Sequence, residues 1–529
     1  MRLRLIVTVW PTSVAQYSGL VLAKARTVHD SHRPRLVNLL NLAIKEVLEQ
    51  PEVRERFESQ GNAIRIGMRW PIFRPCRNLG RLRRIGPIRS RLSRWQRAAR
   101  VPWRPMRHER LEPERSFGNH HQKTPGRCNT MTIVTTTKGQ ADLPRYFAQV
   151  LKVLEKLQLG RLDFVLPDGR RFRAEGREPG PAAEILVKNA DVFSRLIREG
   201  DLGFSEAYLD GWWTTPDLQA FMDLIHEDND SVYSGFPGIG LVRIYERLRF
   251  WLQSNSRRQA RKNIAHHYDL GNDFYQLWLD DTMTYSSALF TSGQESLERA
   301  QTQKYASMVD QMGAKPGDHV LEIGCGWGGF AEYAARERGL RVTALTISQA
   351  QHDYAVDRMQ RAGLSDQVEI KMQDYRDERG VYDGIVSIEM FEAVGERYWP
   401  TYFTTVRDRL KPGKKATLQI ITVQNERFEA YRKSVDFIQK YIFPGGMLPS
   451  PAVLHREVER AGLRLAGSIE FGLSYSQTLR RWHDTFNAKW NDVAKMGFDD
   501  RFRRMWNFYL ASCASTFSSR NCDVTQITV

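Results

Sequence analysis

The sequence predicts a doubly wound α/β domain over residues 263–529, preceded by a small α+β domain over 131–240. Three observations support this. From about Gln301, buried strand patterns alternate with helical patterns, which is typical of a parallel sheet covered by helices on both faces. Before that, from Leu143 onwards, a helical pattern and a hairpin pattern are followed by further helices. The excess of positive charge ends near residue 130, where periodicity begins.

Residues 1–130 form a basic segment that we expect to be disordered or weakly ordered. They contain 27 Lys and Arg against 9 Asp and Glu, whereas 131–529 contain 51 against 52, so the formal net charge of +17 arises here. The run from Arg81 to Arg110 is rich in arginine and has no helical or strand period. The neutral balance of 131–529 argues against nucleic acid as a main partner.

Two interpretations of 1–130 stay open. The segment is either a basic arm that binds phosphates of nucleic acid or lipid, or a stretch translated from a start codon upstream of Met131. We favour the second, because aperiodic, arginine-rich sequence lacks the consistency of selected structure.

Composition excludes several classes of protein. The 529 residues are 41% hydrophobic, and no run of about 18 apolar residues could form a transmembrane helix. The cysteines are scattered without CxxC spacing, which argues against a disulfide scaffold or a metal cluster and favours a reducing, cytoplasmic setting. They are Cys76, Cys128, Cys325, Cys513 and Cys522.

The small domain begins with a helix predicted between Leu143 and Leu159, where apolar residues recur at helical spacing. The segment 161–176 then alternates around Pro167-Asp168-Gly169, which predicts a β-hairpin. Further helices are expected across 185–213 and 217–227.

A bridge over 241–262 follows, with apolar residues on one helical face and arginines on the rest. A basic amphipathic helix containing Trp251 is typical of a membrane-surface anchor. It is also compatible with an inter-domain helix whose apolar face packs on the protein, which we slightly favour.

The C-terminal domain contains five predicted strands, and its end is predicted to be helical and aromatic. The strands are HVLEIG, RVTALTI, QVEIKMQ, YDGIVSIEM and ATLQIITV.

A glycine-rich loop follows the first of these strands. Gly324, Gly326 and Gly329 satisfy G-x-G-x-x-G, so a dinucleotide site has to be considered. That site needs an acidic residue about 20 positions later, to hold the ribose, whereas the second strand here ends in Thr346. Glu322 instead precedes the loop, and its carboxylate suits a cationic or amine-bearing ligand while repelling pyrophosphate. S-adenosylmethionine, with an amino acid moiety, a sulfonium and no phosphate, fits this pattern better.

Five motifs in this order resemble the cyclopropane-fatty-acyl-phospholipid synthase family, which includes the mycolic acid cyclopropane synthases. They are HHYDLGNDFYQLWLDDTMTYSSALF, VLEIGCGWGGFAEYAA, LTISQAQ, SIEMFEAVGERYW and YIFPGGMLPS. The resemblance covers about 260–529 closely, and the small domain resembles the N-terminal domain of the longer members. It implies a Rossmann-like S-adenosylmethionine-dependent methyltransferase fold.

The resemblance also implies a cofactor pocket around the glycine loop. Its residues would be Tyr285, Ser286, Glu322, Gly324, Cys325, Gly326, Trp327, Gly328, Gly329, Thr346, Ser348, Gln351, Asp374 and Tyr375.

The implied catalytic centre holds a bicarbonate ion through Cys, Glu, His and Tyr positions. Here the Glu is Glu392 and the Tyr is Tyr475, while Ser287 stands at the Cys position and Gln419 at the His position. We expect weaker bicarbonate binding, because the Gln419 amide and the backbone N–H of Ser287 remain as donors. Glu389 also follows the strand YDGIVSI, where a carboxylate could stabilise a cation.

The implied reaction transfers a methylene group from S-adenosylmethionine to the cis double bond of an unsaturated acyl chain in a phospholipid, forming a cyclopropane ring. The alternative is a relative that methylates an alkene without ring closure, or a small-molecule acceptor. A phospholipid substrate implies a cytoplasmic enzyme peripherally associated with the inner face of the membrane. No metal and no nucleic-acid partner are expected. The oligomeric state stays open, with a homodimer as one expectation.

Overall fold

The computed structural model describes residues 133–228, Asn255, Gln259 and 270–529. The predictions made for the basic segment 1–130 lie outside the described residues. The bridge over 241–262 also lies outside them, apart from Asn255 and Gln259.

The first group of elements, in 133–228, contains a five-stranded sheet and three helices. The strands are β1 (Ile133–Val134), β2 (Leu159–Val165), β3 (Arg171–Glu175), β4 (Glu178–Val187) and β5 (Trp213–Thr214), and the helices are α1 (Phe147–Leu154), α2 (Val192–Leu209) and α3 (Leu218–Glu227). The strand order is β1-β3-β2-β4-β5.

The predicted hairpin forms, because β2 and β3 pair antiparallel around a turn in which Gly169 adopts φ 87°. Two parts of the helical prediction are wrong. Residues 185–187 end strand β4, and Trp213–Thr214 form the edge strand β5. The run Ile185-Leu186-Val187 alternates between buried and half-buried positions, which suits a strand that packs one face on the core.

The second group of elements contains a seven-stranded sheet that confirms the doubly wound fold. Its strands are β6 (His319–Ile323), β7 (Arg341–Thr346), β8 (Val368–Met372), β9 (Tyr382–Ile388), β10 (Leu410–Val423), β11 (Gly467–Glu470) and β12 (Cys522–Thr528). The order is β11-β12-β10-β9-β6-β7-β8, and β6 to β10 run parallel. The sequence patterns did not predict β11 and β12, which extend the sheet antiparallel beside β10.

Helices connect these strands and complete the C-terminal end. They are α4 (Asn272–Gln276), α5 (Leu297–Met312), α6 (Gly329–Arg338), α7 (Gln349–Arg361), α8 (Trp399–Arg409), α9 (Asn425–Lys433), α10 (Phe437–Tyr441), α11 (Pro451–Arg460), α12 (Gly472–Ala488), α13 (Trp490–Lys495) and α14 (Asp500–Ser518).

The connectivity creates a switch point between β6 and β9. From β6 the chain moves outward through β7 and β8, then returns to the other side of β6 with β9 and β10. In open α/β sheets, ligands bind outside the carboxyl ends of the strands at such a point. The residues that follow β6 and β9 are therefore expected to border the site.

The two groups of elements share one hydrophobic core. Apolar residues of the five-stranded sheet pack in the same cluster as those of α12 and α14. Polar contacts join them as well, since Gln219 of α3 donates to the Ser515 hydroxyl at 2.7 Å and Arg480 pairs with Asp223 at 2.8 Å. Within the described ranges, no helix combines the length and apolar character that crossing a bilayer requires.

Candidate active site

The glycine loop turns sharply between β6 and α6. Gly324, Gly326 and Gly328 have φ of 86°, 51° and 83°, a conformation that favours glycine because a Cβ would crowd the backbone. The N–H groups of Gly324 and Cys325 donate to the carbonyl of Leu345 at 3.0 and 2.9 Å, which fixes the loop against the end of β7.

Space around the loop differs from one glycine to the next. A Cβ at Gly324 would lie 2.7 Å from the Met390 side chain, and a Cβ at Gly329 would lie 2.5 Å from the Tyr305 hydroxyl. A Cβ at Gly326 would meet nothing within 4 Å, and this residue lines the large cavity described below. Gly326 therefore leaves open the room that a ligand on the loop needs.

Glu322 places a carboxyl group at the end of β6. Its side chain is buried, and its Oε2 has no hydrogen-bond partner among the described residues. Burial raises the pKa of this carboxyl to about 8, while the charges of Lys304 and Arg358 oppose the rise. A buried carboxylate oxygen without a donor is suited to a cationic or amine-bearing ligand, so the residues present fit S-adenosylmethionine.

The ends of β7 and β8 bring further predicted cofactor residues to this edge. The Thr346 hydroxyl donates to the Gln351 amide oxygen at 3.0 Å, and the Ser348 hydroxyl caps α7 by accepting from the Gln351 N–H. After β8, the Asp374 carboxylate is held by Arg376, which donates at 2.8 and 2.6 Å. These contacts hold the polar side chains at this edge of the cavity, which is the predicted cofactor side.

Lys304 of α5 is a residue that the sequence analysis missed. It is fully buried, and its Nζ donates to the Ser286 hydroxyl at 2.8 Å. Burial lowers its pKa to about 7, and the charges of Glu389, Asp280 and Glu322 oppose that fall. One buried ammonium group is thus near acidic residues at both places, Glu322 before the glycine loop and Glu389 after β9. The only local signal for it is its position inside an amphipathic helix.

Glu389 lies at the end of β9, where two donors converge on its carboxylate. The Ser287 N–H and the Gln419 amide each donate to Oε1 at 2.8 Å, and the nearby Tyr475 hydroxyl favours the ionised form of this carboxyl group by lowering its pKa. The Ser287 hydroxyl turns away and donates to the Ala288 carbonyl at 2.9 Å. Burial raises the pKa of Glu389, whereas its donors and the charge of Lys304 favour the ionised form.

Glu392 is the second carboxyl group at this end. Its Oε1 accepts from the Ile421 N–H at 2.6 Å, and its Oε2 has no hydrogen-bond partner among the described residues. Burial and the negative charge of Glu389 raise its pKa to about 8. Of the two carboxyl groups, Glu389 has the donors that favour its ionised form, whereas the charge of Glu389 disfavours ionisation of Glu392.

The donors expected for bicarbonate are already in use. The Ser287 N–H and the Gln419 amide both donate to Glu389, and the Tyr475 hydroxyl favours the ionised form of the same carboxyl group by lowering its pKa. The amide oxygen of Gln419 accepts from Gln526 of β12 at 3.0 Å, which fixes the direction of the amide. The residues present therefore do not fit a bicarbonate ion at this position.

One continuous cavity of about 890 Å³ joins these groups. Most of the predicted site residues line it, including Glu392, Tyr475 and twelve of the fourteen predicted cofactor residues. Gly328 and Ser348 support the cofactor side from behind, and Ser287 and Gln419 lie behind Glu389. From the switch point the cavity extends between the elements of 133–228, which are the predicted small domain. Its apolar lining there includes Leu154, Leu162, Phe164, Ile185, Phe193 and Phe221.

A family model described as mycolic acid cyclopropane synthetase matches residues 255–527, about half of the chain. The chain belongs to this family. It is 38% identical over 378 residues to a tuberculostearic acid methyltransferase of Mycobacterium tuberculosis, covering 70% of this chain and 87% of the relative. It is 35% identical over 356 residues to the cyclopropane-fatty-acyl-phospholipid synthase of Escherichia coli, covering 65% of this chain and 87% of the relative.

Solved structures of the family are also similar. A cyclopropane synthase from Mycobacterium tuberculosis is 27% identical with a TM-score of 0.48, covering 51% of this chain and 97% of that chain. Membership confirms the family resemblance, and this cyclopropane synthetase homologue is an S-adenosylmethionine-dependent methyltransferase.

Proposed function

We propose that this enzyme transfers one carbon from the methyl group of S-adenosylmethionine to the cis double bond of an unsaturated acyl chain in a phospholipid, with a cyclopropane ring as product. The observation that carries the proposal is the cavity of about 890 Å³, which connects the glycine loop, the two carboxyl groups and the apolar interior of the small domain. Its size lies in the range of small-molecule sites, about 300–1,000 Å³.

The shape and lining of the cavity favour a long apolar substrate. A small polar acceptor would leave the leucine and phenylalanine side chains of the small domain without a partner, whereas a hydrocarbon chain would cover them. Burying a methylene group from water contributes about 0.8 kcal/mol, so several such groups give an acyl chain substantial affinity. The double bond would lie near the switch point, between the glycine loop and Glu392.

The chemistry requires negative charge and aromatic faces at the same place. When bound, S-adenosylmethionine supplies a methyl group on a sulfonium centre. An alkene that accepts this group becomes cationic, and a cation in an apolar cavity is costly unless anions or ring faces surround it. Tyr285 and Tyr475 line the cavity and supply ring faces, and Glu389 supplies the negative charge beside the carboxyl group of Glu392. Glu392 and Tyr475 are accordingly proposed as catalytic residues.

The relatives support an acyl substrate and leave two products to be distinguished. One is named for tuberculostearic acid methylation, and the other for cyclopropane formation on acyl phospholipid. The second candidate for this chain is methylation of the alkene without ring closure. The observation that favours it is a difference from the family at the catalytic end of the cavity. Ser287 stands at the family's Cys position and Gln419 at its His position, and both donate to Glu389 where the family holds bicarbonate.

A phospholipid substrate places the reaction at a bilayer. We propose that the enzyme works on the cytoplasmic side, bound peripherally to the inner face of the membrane. The basic amphipathic pattern of 241–262 supports this proposal. Flotation with anionic and neutral vesicles tests it. Salt-sensitive binding to the anionic vesicles is expected, and equal recovery without either vesicle would contradict it.

The proposed function is tested by incubating the purified chain with S-adenosylmethionine and vesicles of monounsaturated or fully saturated phosphatidylglycerol. Mass spectrometry should show one added methylene unit on the monounsaturated chains alone. Resistance of that product to mild hydrogenation indicates a ring, and uptake of hydrogen indicates the methylated alkene. Transfer to neither lipid, with methylation of an amine instead, would contradict the proposal.

A further inference from the structure

The backbone of Glu389 is unusual for its residue type. It has φ 48°, in the left-handed region that favours glycine, and its N–H donates to the carbonyl of Gln419 at 2.9 Å. A side chain held in such a conformation persists when the surrounding structure demands it, and such residues cluster at functional sites. At this position the conformation coincides with a carboxylate that lines the cavity.

The groups around this carboxylate form a binding site for a negative charge. The Ser287 N–H and the Gln419 amide each donate to its Oε1 at 2.8 Å, and Tyr475 lines the cavity close by. Ser287 is completely buried, and Gln419 is 1% exposed. These are the groups that the family resemblance assigned to a bicarbonate ion.

A second layer of contacts holds the donors in place. The Gln526 amide donates to the oxygen of Gln419 at 3.0 Å, so that the NH2 group of Gln419 must face Glu389. The oxygen of Gln526 accepts in turn from Ser307 and Gln311 of α5, at 2.7 and 2.6 Å. The buried ammonium group of Lys304 adds positive charge from the same helix. The whole arrangement stabilises a negative charge on Glu389.

We propose that the Glu389 carboxylate is the resident anion of this active site and takes the proton that the family's bicarbonate would take, so that turnover needs no bicarbonate. This inference rests on the proposed function and names the base of the same site. It identifies Glu389 as a catalytic residue in addition to Glu392.

The proposed ring formation breaks a C–S bond, the alkene π bond and a C–H bond, and it forms two C–C bonds. The bond from sulfur to the methyl carbon breaks, and a bond forms from that carbon to one alkene carbon, which leaves a positive charge on the neighbouring carbon. A C–H bond of the added group then breaks. Its electron pair closes the ring, and its proton passes to Glu389, which becomes a neutral carboxylic acid. Release of product lets water remove that proton. In the candidate reaction without ring closure, a hydride shift precedes the same proton loss, and the electron pair forms a double bond.

Two variants separate this role from a structural one. Glu389→Gly suits the left-handed backbone, removes the carboxylate and frees the Ser287 and Gln419 donors. Glu389→Gln keeps the shape of the side chain but carries no charge and leaves no room for an ion. Thermal unfolding and calorimetric titration with S-adenosylmethionine first establish that both variants fold and bind the cofactor.

The experiment compares turnover on monounsaturated phospholipid vesicles in bicarbonate-depleted buffer and after bicarbonate is added back. The turnover of the wild-type chain should be the same with and without bicarbonate, within about twofold. Without bicarbonate, the turnover of both variants should be lower than that of the wild type by about a hundredfold or more. Bicarbonate should restore part of the activity of Glu389→Gly and none of Glu389→Gln. In addition, 13C-labelled bicarbonate should show line broadening with Glu389→Gly protein and not with the wild type.

Each result decides between the proposals. A wild-type enzyme that is active on the acyl chain and depends on bicarbonate would overturn the inference while leaving the proposed function intact. Near-normal turnover of Glu389→Gly without bicarbonate, or binding of labelled bicarbonate by the wild type, would also overturn it. A wild-type chain that modifies no acyl lipid, with or without bicarbonate, would instead refute the proposed function.

Discussion

The two ends of the cavity are built in different ways. The cofactor end comes largely from one short stretch, in which β6, the loop from Gly324 to Gly328 and the start of α6 follow each other in the chain. The catalytic end is assembled from distant segments, since Ser287, Gln419 and Tyr475 meet at Glu389 and Gln526 supports them from the last strand. A local motif therefore reveals the first end, whereas the second end depends on tertiary structure that no short motif records.

The largest effect is expected at the cofactor end. Gly326→Val should place a branched side chain in the open space beside the loop, and β-branched residues resist a φ of 51°. Affinity for S-adenosylmethionine should fall by about a hundredfold or more, since both the space and the backbone are altered. Isothermal titration measures this.

Gly363→Val is the matched control. Gly363 has φ 67° and equally open surroundings, but it lies outside the cavity. The Gly363→Val variant should lose about as much stability as Gly326→Val while keeping the cofactor affinity of the wild type. Equal affinities for both variants would remove the glycine loop from the cofactor site.

The difference between the two ends also explains what the sequence could reveal. The strand–loop–helix unit at Gly324 to Gly329 was predictable because its glycines are needed locally for positive φ. The occupant of the anion site was not predictable, because the contact between Ser287 and Glu389 joins residues 102 positions apart. Lys304 left no signal beyond helical periodicity, although it faces acidic groups of both ends.

The second prediction concerns Lys304, which links the two ends. Lys304→Met should lower turnover about tenfold, because Glu389 and Glu322 lose the positive charge that favours their ionised forms. The pKa values of Glu389 and Glu322 therefore rise, and the acidic limb of the pH–rate profile moves to higher pH. Lys440→Met removes another partly buried lysine, paired with Glu206 at 2.6 Å, and should leave that limb in place. An unmoved profile in Lys304→Met would confine this lysine to a structural role.

The third prediction tests the division of labour between the two carboxyl groups. Glu392→Gln resembles the protonated acid that the wild type holds at neutral pH, so turnover at pH 6.5 should stay within about tenfold, a smaller loss than in Glu389→Gln.

Stability gives an independent check of that protonation state. The pKa of Glu392 is about 8 in the folded chain, above its usual value, so the unfolded chain holds fewer protons on this group between the two values. The free energy of unfolding of the wild type should therefore fall as pH rises from about 5 to 8. The free energy of unfolding of Glu392→Gln should equal that of the wild type at low pH. At pH 8 it should exceed that of the wild type by about 1 kcal/mol or more. Urea unfolding at several pH values measures both free energies. If they change with pH in parallel, Glu392 is ionised throughout this range.

The smallest effect is expected at the helix cap behind the cofactor. Ser348→Ala removes the N-cap of α7 and should cost about 1 kcal/mol of stability. Because the capped turn carries Gln351, which lines the cavity, cofactor affinity should also fall by a few-fold. Ser296→Ala removes the equivalent cap of α5 without touching the cavity, so it should cost similar stability and leave affinity unchanged.

The fold shows the same division as the site. The five parallel strands have apolar, strand-length patterns and were predictable, as was the hairpin around Gly169. Strand β12 was not predictable, because Val524 and Ile527 are separated by two polar residues and do not repeat at strand spacing. This segment becomes a strand through its pairing with β10. Through Gln526, that unpredicted strand reaches the catalytic end.

The most direct measurement of the central claim uses S-adenosylmethionine whose methyl group carries three deuterium atoms, with monounsaturated phospholipid vesicles. In the proposed reaction the added carbon loses one proton after it bonds to the alkene. Mass spectrometry of the isolated acyl chain should therefore show a new carbon that retains two deuterium atoms, whether the product is a ring or a methylene-bearing chain. A new carbon that retains all three, or deuterium found on the head group, would contradict it.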